Sequence, residues 1–303
     1  VVTYHPNRDF LNPLLDQLCL QCQEVLIVDN SPAGDDSTFE IAAETRRRFD
    51  NLRQVRVGMN AGIASALNIG IDVALAEDFE YVLLSDQDSL PSTGMVAGLV
   101  QAGREMAARG KPVGAIGPLI RDLVTKMDYP FQAPIAGKLF YGHRFPTPHD
   151  PHVIAISIIT SGTLISAAAA RDIGRMAEDL FIDYVDVEWC HRARAKGYEV
   201  VGTGNAVLCH RLGDQGLRVW YRGWKLISEY GPLRLYYRMR NFIHLLRAAY
   251  VPRSWKVRSC WYMLGIVYGH VVYSNRRLAS FTAVMSGLWD GILGRLGPCR
   301  RHW

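Results

Sequence analysis

The chain is poor in anything that would staple or anchor it. Its six cysteines are scattered. Cys19 and Cys22 have CxxC spacing, but no second pair completes a zinc site and the pair does not open a helix after a strand. They read as ordinary reduced thiols of a cytoplasmic protein. No apolar run reaches the roughly 20 residues of a perpendicular membrane span. A GxGxxG fingerprint and a Walker lysine are both missing, which disfavours dinucleotide and P-loop chemistry. Repeats, low-complexity tracts and a visible signal peptide are absent too. The chain opens at Val1, without Met and already in a strand-like run, as though its start lay upstream. Acidic residues are scarce at one end: residues 210–303 hold 16 Lys and Arg against 3 Asp and Glu, whereas residues 1–209 hold 18 against 26. The net charge of +5 hides this asymmetry. A basic tail behind an acidic body suits an anionic partner such as a membrane surface or a phosphorylated lipid.

What is present is a globular chain long enough for one large or two modest domains. Apolar, β-branched runs at 1–4, 25–29, 55–57, 81–86 and 113–120 read as strands. Leu11 to Cys22, Ser37 to Phe49, Ile63 to Leu75 and Thr93 to Arg109 read as the helices between them. Strands of this kind alternating with helices predict a doubly wound, mainly parallel α/β sheet, with ligands bound beyond the carboxyl ends of its strands. From Val153 the pattern changes to VIAISIITSGTLIS, one long strand or two bent ones, and then to YEVVGTGNAVLCH, an extended segment ending at His210. These predict a mixed second half. Beyond Gly213 the chain reads as helices rich in Arg, Tyr and Trp, with Ser259 to Ser274 as an amphipathic or interfacial helix.

The polar residues at the strand ends carry the chemistry. Asp29 follows VLIV and suits a pyrimidine imide or a ribose hydroxyl, although DNSP would equally make an Asx turn. Asp86 and Asp88 in SDQDS share one face of an extended strand tip, where two carboxylates repel unless a cation stands near. Mg²⁺ or Mn²⁺ bridging a diphosphate would do this, and a solvated turn is the plain alternative. His210 would be a structural histidine or a second metal ligand. Thr160, Ser161 and Gly162 offer hydroxyls and a close backbone approach, or a strand kink at glycine. In FIDYVDVEWCHRARAKG, Phe181 to Gly197, Asp183, Asp186 and Glu188 precede a short basic helix; Asp186 reads as its N-cap or as a catalytic base.

Taken together, VVTYHP, VDNS, NAGIASALNIGI, DQD as a DxD form, TSGTLIS, FIDYVDVEWCHRARAKGY and VLCHRLG resemble, in that order, the family-2 inverting glycosyltransferases of the GT-A fold. LYYRMRN at 235–241 is similar to the rhamnosyltransferase subgroup that builds bacterial surface polysaccharides. The resemblance implies a GT-A domain over 1–215, with a nucleotide-sugar half of about 1–120 and an acceptor half of about 121–215, and a basic aromatic helical extension over 216–303. It implies Thr3, Tyr4 and Asp29 at the base, and Asn60, Gly62, Asn68 and Asp86 on the nucleotide sugar. Asp88 and His210 fall to Mg²⁺ or Mn²⁺, and Thr160, Ser161, Gly162 and Arg192 to the acceptor or sugar. Asp186 stands where the family keeps its base. Val185 precedes it in place of the usual acid, which leaves Asp183 and Glu188 as rivals.

The implied reaction is single-displacement transfer of a sugar to a glycan hydroxyl, L-rhamnose from dTDP-β-L-rhamnose or, as the alternative within the same fold, a sugar from another UDP- or GDP-sugar donor. The implied acceptor is a polyprenyl-diphosphate-linked glycan at the inner face of a bacterial membrane. The tail aromatics Trp220, Tyr221, Trp224, Tyr236, Tyr237, Trp255, Trp261 and Tyr262 would lie at that surface or simply form a helical core. Nucleotidyl transfer would require a basic, glycine-rich signature near the start, which Val1 to Arg8 lacks. Nucleic-acid binding is disfavoured by the acidic first half and by the absence of a recognition motif.

Overall fold

Apolar runs alternating with helices fold into a three-stranded and a seven-stranded sheet. The structure, a computed structural model, describes all of residues 1–303 except 124, 136, 138, 139, 211–215, 221, 222, 302 and 303. The first half runs β1 (Val2–Thr3), α1 (Arg8–Gln21), β2 (Val25–Pro32), α2 (Ser37–Arg46), β3 (Leu52–Gly58), α3 (Ile63–Ala76), β4 (Tyr81–Leu84), β5 (Ser89–Pro91), α4 (Met95–Ala108) and β6 (Val113–Asp122). Helix α1 begins earlier than its apolar pattern because Asn7 Oδ1 accepts the Asp9 N–H at 2.8 Å, a side-chain N-cap. Its Leu11, Leu14, Leu15 and Leu18 pack under β2 with Ile27 and Leu52.

β1, β2 and β3 are parallel, and Val2 N–H reaches Ser85 O at 3.1 Å, which joins β1 to the end of β4. Short strands β7 (Asp128–Tyr129), β8 (Phe131–Ala133), β9 (Gly142–Arg144) and β10 (His152–Ile154) lead to β11 (Thr163–Ser166). Then follow α5 (Ala167–Ile173), a 3₁₀ turn at Glu178–Leu180, α6 (Val185–Ala195) and β12 (Glu199–His210). The second sheet has the order β10, β12, β6, β11, β4: β6 and β12 are parallel, and β11 is antiparallel to both neighbours. The run from Val153 is therefore two strands in different places, split by the turn at 155–162. The expected α/β class, a mainly parallel sheet with a mixed second half, is the fold observed.

After β12 the structure departs from an all-helical tail. An antiparallel hairpin of β13 (Gly216–Trp220) and β14 (Trp224–Ser228) comes first, with Trp220 opposite Trp224. Its alternation in LRVW and WKLIS is the period-two signal that the basic composition hid. Then come α7 (Pro232–Arg247), α8 (Arg253–Tyr273) and α9 (Arg277–Ile292). Their core takes Tyr236, Tyr237 and Trp255 inside, so these three are packing residues, whereas Trp220, Trp224, Trp261 and Tyr262 stay exposed. Tyr221, and the Arg211, Leu212 and Gly213 of the VLCHRLG motif, lie outside the described residues. His270 inside α8 is held neutral by burial, its Nε2 accepting Tyr230 N–H at 2.9 Å and its Nδ1–H donating to Ile266 O at 2.8 Å. Among the described residues no helix is long and apolar enough to cross a membrane. The six cysteines are unpaired, and burial pushes the Cys19 and Cys22 thiols up to about 11.

Candidate active site

The carboxyl ends of β2, β4 and β12 and the start of α6 bring the expected acids to one edge of the sheet. Asp29 is fully buried at the end of β2. Its Oδ1 accepts from Thr38 Oγ1 (3.1 Å), Ser31 N–H (3.1 Å) and Thr3 Oγ1 (3.4 Å). Its Oδ2 accepts no hydrogen bond, and the nearest cation is Arg56 Nε at 3.8 Å. A buried acceptor left open in this way is costly unless a ligand donor meets it. The local turn of DNSP is present, made with Oδ1, while Oδ2 faces the Arg56 guanidinium.

Tyr4 sits exposed beside it, its backbone clamped by Gln87. Tyr4 N–H donates to Gln87 Oε1 (2.7 Å) and Gln87 Nε2 donates to Tyr4 O (3.1 Å). Gln87, the central residue of DQD, thus ties the base-side strand to the acidic tip, a role its spacing did not advertise. Ser161 is buried and bridges the same tip, accepting Asp86 N–H at 3.3 Å and lying 3.2 Å from Ser89 Oγ. The Asp86 carboxyl is raised by burial first and by neighbouring Asp88 second, with His210, Ser161 and Arg234 opposing. Asp88 is exposed, and the pairing of β5 with β12 places His210 across from Ser89, the residue after Asp88. His210 Nδ1 is buried with no hydrogen-bond partner among the described residues. Among the described residues no group of three or more His, Cys, Asp and Glu is arranged to hold a metal unaided. Asp88 and His210 are donors of the right chemistry for a shared cation that draws its remaining oxygens from a diphosphate.

Asp186 lies on the second turn-forming position of α6, not at its cap. The cap is Tyr184, in the left-handed region at φ 65° and ψ 5°, with no side-chain bond. The Asp186 carboxylate accepts Val187 N–H on Oδ1 (2.8 Å) and Thr160 N–H on Oδ2 (3.3 Å). The TSG turn and the acidic stretch therefore meet here. Ile158, Trp189 and Cys190 line a small void against it. Burial raises the Asp186 carboxyl to about 6, the two N–H donors only partly opposing and Asp86 and Asp183 adding repulsion. A base poised there is ionised at neutral pH and still basic enough to take a proton.

The other acids are occupied. Asp183 accepts from Arg234 Nε (3.1 Å) and Arg238 Nη1 (2.9 Å), its side chain 5% exposed. Glu188 is buried and forked onto Arg192, Nε to Oε1 at 2.9 Å and Nη2 to Oε2 at 2.8 Å, with Tyr250 OH donating to Oε1 at 2.7 Å. Arg192 spends its remaining donors on Ile173 O and Arg175 O. The pair ties α6 to the Ile173–Arg175 segment and to Tyr250. Asn68 is likewise a brace. Fully buried, it donates to Met176 O (3.0 Å) and Glu178 Oε1 (2.8 Å) and accepts Met176 N–H (2.8 Å).

Asn60 Oδ1 accepts Gly62 N–H (3.1 Å) and Asn30 Nδ2–H (3.2 Å), which shapes the glycine turn before α3. Gly62 has φ 86°, and a Cβ there would come within 2.7 Å of Phe181. Gly162 has φ 78°, and a Cβ there would come within 2.8 Å of Pro118, so its position is a kink of the strand as well as an edge of the site. Phe181, Asp183 and Tyr184 are all non-glycine residues at φ 63° to 65°. Such conformations cost about 1–3 kcal/mol each and persist where the surroundings over-determine them. A separate cavity of about 380 Å³, lined by Val2, Val28, Val82 and Val100 and also by Glu24, Glu80 and Arg104 among others, contains none of the site acids.

Residues 1–109 match the model of Glycosyl transferase family 2. The chain is 29% identical over 300 residues to the dTDP-rhamnosyl transferase RfbF of Shigella flexneri, covering 99% of this chain and 96% of that protein. Among solved structures it is similar to GalNAc-T7 with UDP, GalNAc and Mn²⁺, at a TM-score of 0.61 and 11% identity over 96% of this chain and 55% of that one. It is also similar to S. aureus TarS, at a TM-score of 0.55 and 18% identity over 96% of this chain and 48% of that one. The chain thus spans about half the length of these two structures, and at such identities the likeness shows the GT-A fold alone.

Proposed function

We propose that this chain, whose residues 1–109 match the model of Glycosyl transferase family 2 and whose fold is of the GT-A type, transfers L-rhamnose from dTDP-L-rhamnose to a glycan hydroxyl with inversion. The observation that carries the chemistry is Asp186, a carboxyl raised to about 6 beside the TSG turn, whose hydrogen-bond partners among the described residues are the backbone N–H groups of Thr160 and Val187. The whole-chain likeness to a dTDP-rhamnosyl transferase supports the donor. In this reading the open Oδ2 of Asp29 accepts from the base or ribose, and Thr3, Thr38 and Ser31 orient that carboxylate. Asp88 and His210 hold Mg²⁺ or Mn²⁺, which when bound neutralises charge developing on the leaving diphosphate. Asp86 and Ser161 set the sugar side of the tip. Asp186 takes the proton of the acceptor hydroxyl as that oxygen attacks from the opposite face, so no covalent sugar intermediate forms. Tyr4 lines the base pocket and Thr160 aims the base.

The acceptor of this reading is a polyprenyl-diphosphate-linked glycan, with residues 216–303 as the side that meets the lipid. Val257, Trp261, Leu264, Tyr268 and Val272 are exposed along one face of α8, and Leu278, Phe281, Met285, Trp289 and Ile292 along α9. Two apolar stripes at helical spacing on a strongly basic extension suit an anionic bilayer surface. The deciding experiment incubates the purified protein with dTDP-, UDP- and GDP-sugars, with and without Mn²⁺, and follows nucleoside diphosphate release. Metal-dependent release from dTDP-L-rhamnose is expected; release only from a different donor would overturn the rhamnosyl assignment while leaving glycosyl transfer.

A further inference from the structure

The LYYRMRN segment of α7 is remote in sequence from every acid of the site, yet its polar atoms converge on the loop that aims Asp186. Asn241 is fully buried, and the two N–H bonds of its Nδ2 are shared among the carbonyls of Leu180 (2.9 Å), Ile182 (2.8 Å) and Asp183 (2.9 Å). Three carbonyls crowd one point because Phe181, Asp183 and Tyr184 take positive φ, and without a donor between them they would repel. The side-chain amide cannot turn around: Arg240 Nε, a donor only, bonds Asn241 Oδ1 at 2.9 Å. Arg240 is itself 1% exposed and donates on to Leu180 O (2.9 Å), Asp179 O (3.2 Å) and Gly297 O, its guanidinium packed on the rings of Tyr236 and Tyr237. Phe181 stacks on Tyr237 at 5.1 Å between ring centres, and its carbonyl accepts Ile63 N–H at 2.8 Å from the glycine turn. Arg238 grips the Asp183 carboxylate on the outer side of the same loop.

We infer that Arg240 and Asn241, with Arg238 on Asp183, are positioning residues for sugar transfer: they hold residues 180–184 in the left-handed turn that starts α6 and sets where Asp186 points. This rests on Asp186 being the base, as proposed above. α6 has no side-chain cap to fix its start, so the direction of its first turn comes from this loop. Asp186 is two residues beyond Tyr184. Relaxing the loop would swing it away from Thr160 N–H and let water reach it. A segment that only filled a core would have no need to satisfy three loop carbonyls with one amide and then lock that amide with a buried arginine.

The test uses the full chain with Asn241→Ala and, as a milder variant that keeps the side-chain shape, Asp183→Asn. Each is measured by steady-state kinetics across pH and by amide hydrogen exchange. Expected are a donor KM within about twofold of the parent and a kcat lowered by more than about tenfold. The acid limb of the rate profile should move to lower pH as Asp186 becomes hydrated, and exchange should speed up over 181–187 but not in β2 or β6. Unchanged kcat and acid limb in folded Asn241→Ala would overturn the inference. If that variant does not fold, the same result in Asp183→Asn does so. Should the parent transfer no sugar from any donor, the functional reading fails separately, and the exchange experiment still decides: unaltered protection over 181–187 would refute the positioning role.

Discussion

Replacing Asp186 by Asn tests catalysis and electrostatics with one change. In the parent the folded carboxyl titrates near 6 because burial disfavours its charge, whereas an unfolded aspartate titrates near 3.9. A shift of about two units corresponds to about 3 kcal/mol. The sign follows from proton counting: between pH 3.9 and 6 the folded state binds the proton that the unfolded state has released. Stability therefore falls as pH rises through that window, and above it the native protein carries the full penalty. Asparagine removes that penalty, but its NH₂ must face one of the two N–H donors that Asp186 accepts from Val187 and Thr160. That conflict costs about 1 kcal/mol. The variant should therefore be more stable by about 2 kcal/mol at pH 7.5, or about 3 °C in Tm for a chain of this length. At pH 4 the advantage should vanish. Donor affinity should survive while transfer is lost, and in the parent kcat/KM should fall about tenfold per unit below pH 6. Thermal melts at both pH values with a transfer assay provide the measurement. Full turnover by Asp186→Asn removes it from the base role; a stability gain that persists at pH 4 refutes the buried-charge argument.

Asp88→Ala and His210→Ala should each weaken Mn²⁺-dependent dTDP binding by about tenfold or more in calorimetry, with little effect on metal-free binding. Asn68→Ala should cost about 2–3 kcal/mol in denaturant unfolding, since it strands Met176 N–H and Glu178, and leave the donor KM unchanged. Glu188→Gln should destabilise by about 3 kcal/mol, by breaking a buried ion pair with Arg192, without moving the acid limb of the rate profile. Paired Trp261→Ser and Leu278→Ser should reduce sedimentation with anionic vesicles; unchanged binding would defeat the membrane reading of the exposed stripes.

The first half of the fold was legible because its strands are continuous apolar runs and its helices are bounded by polar caps and glycines. The motif resemblance led to the same family whose model matches residues 1–109. Asp29 and the Asp86–Asp88 pair were visible as acids at the tips of strands too apolar to end in carboxylates by accident. Asp186 stood out among its neighbours, but not for the reason first available, since Tyr184 and not Asp186 takes the cap position. The hairpin after β12 was hidden beneath a basic composition. Gln87, Asn30 and the arginines of α7 had no local signal, because each acts on backbone far along the chain.

Residue types and local order by themselves determined an α/β sheet with acids at its carboxyl edge and a basic, aromatic tail, since burial periodicity and turn chemistry act over a few residues. Only the tertiary structure decided which acid is free. Asp183 meets two arginines some fifty residues downstream, Glu188 meets Arg192 and Tyr250, and Asp186 has two backbone N–H donors and no cation among the described residues, with Asp86 and Asp183 repelling its charge. A carboxylate's proton affinity depends on the charges and water around it in space, and those are brought by segments that no spacing rule connects.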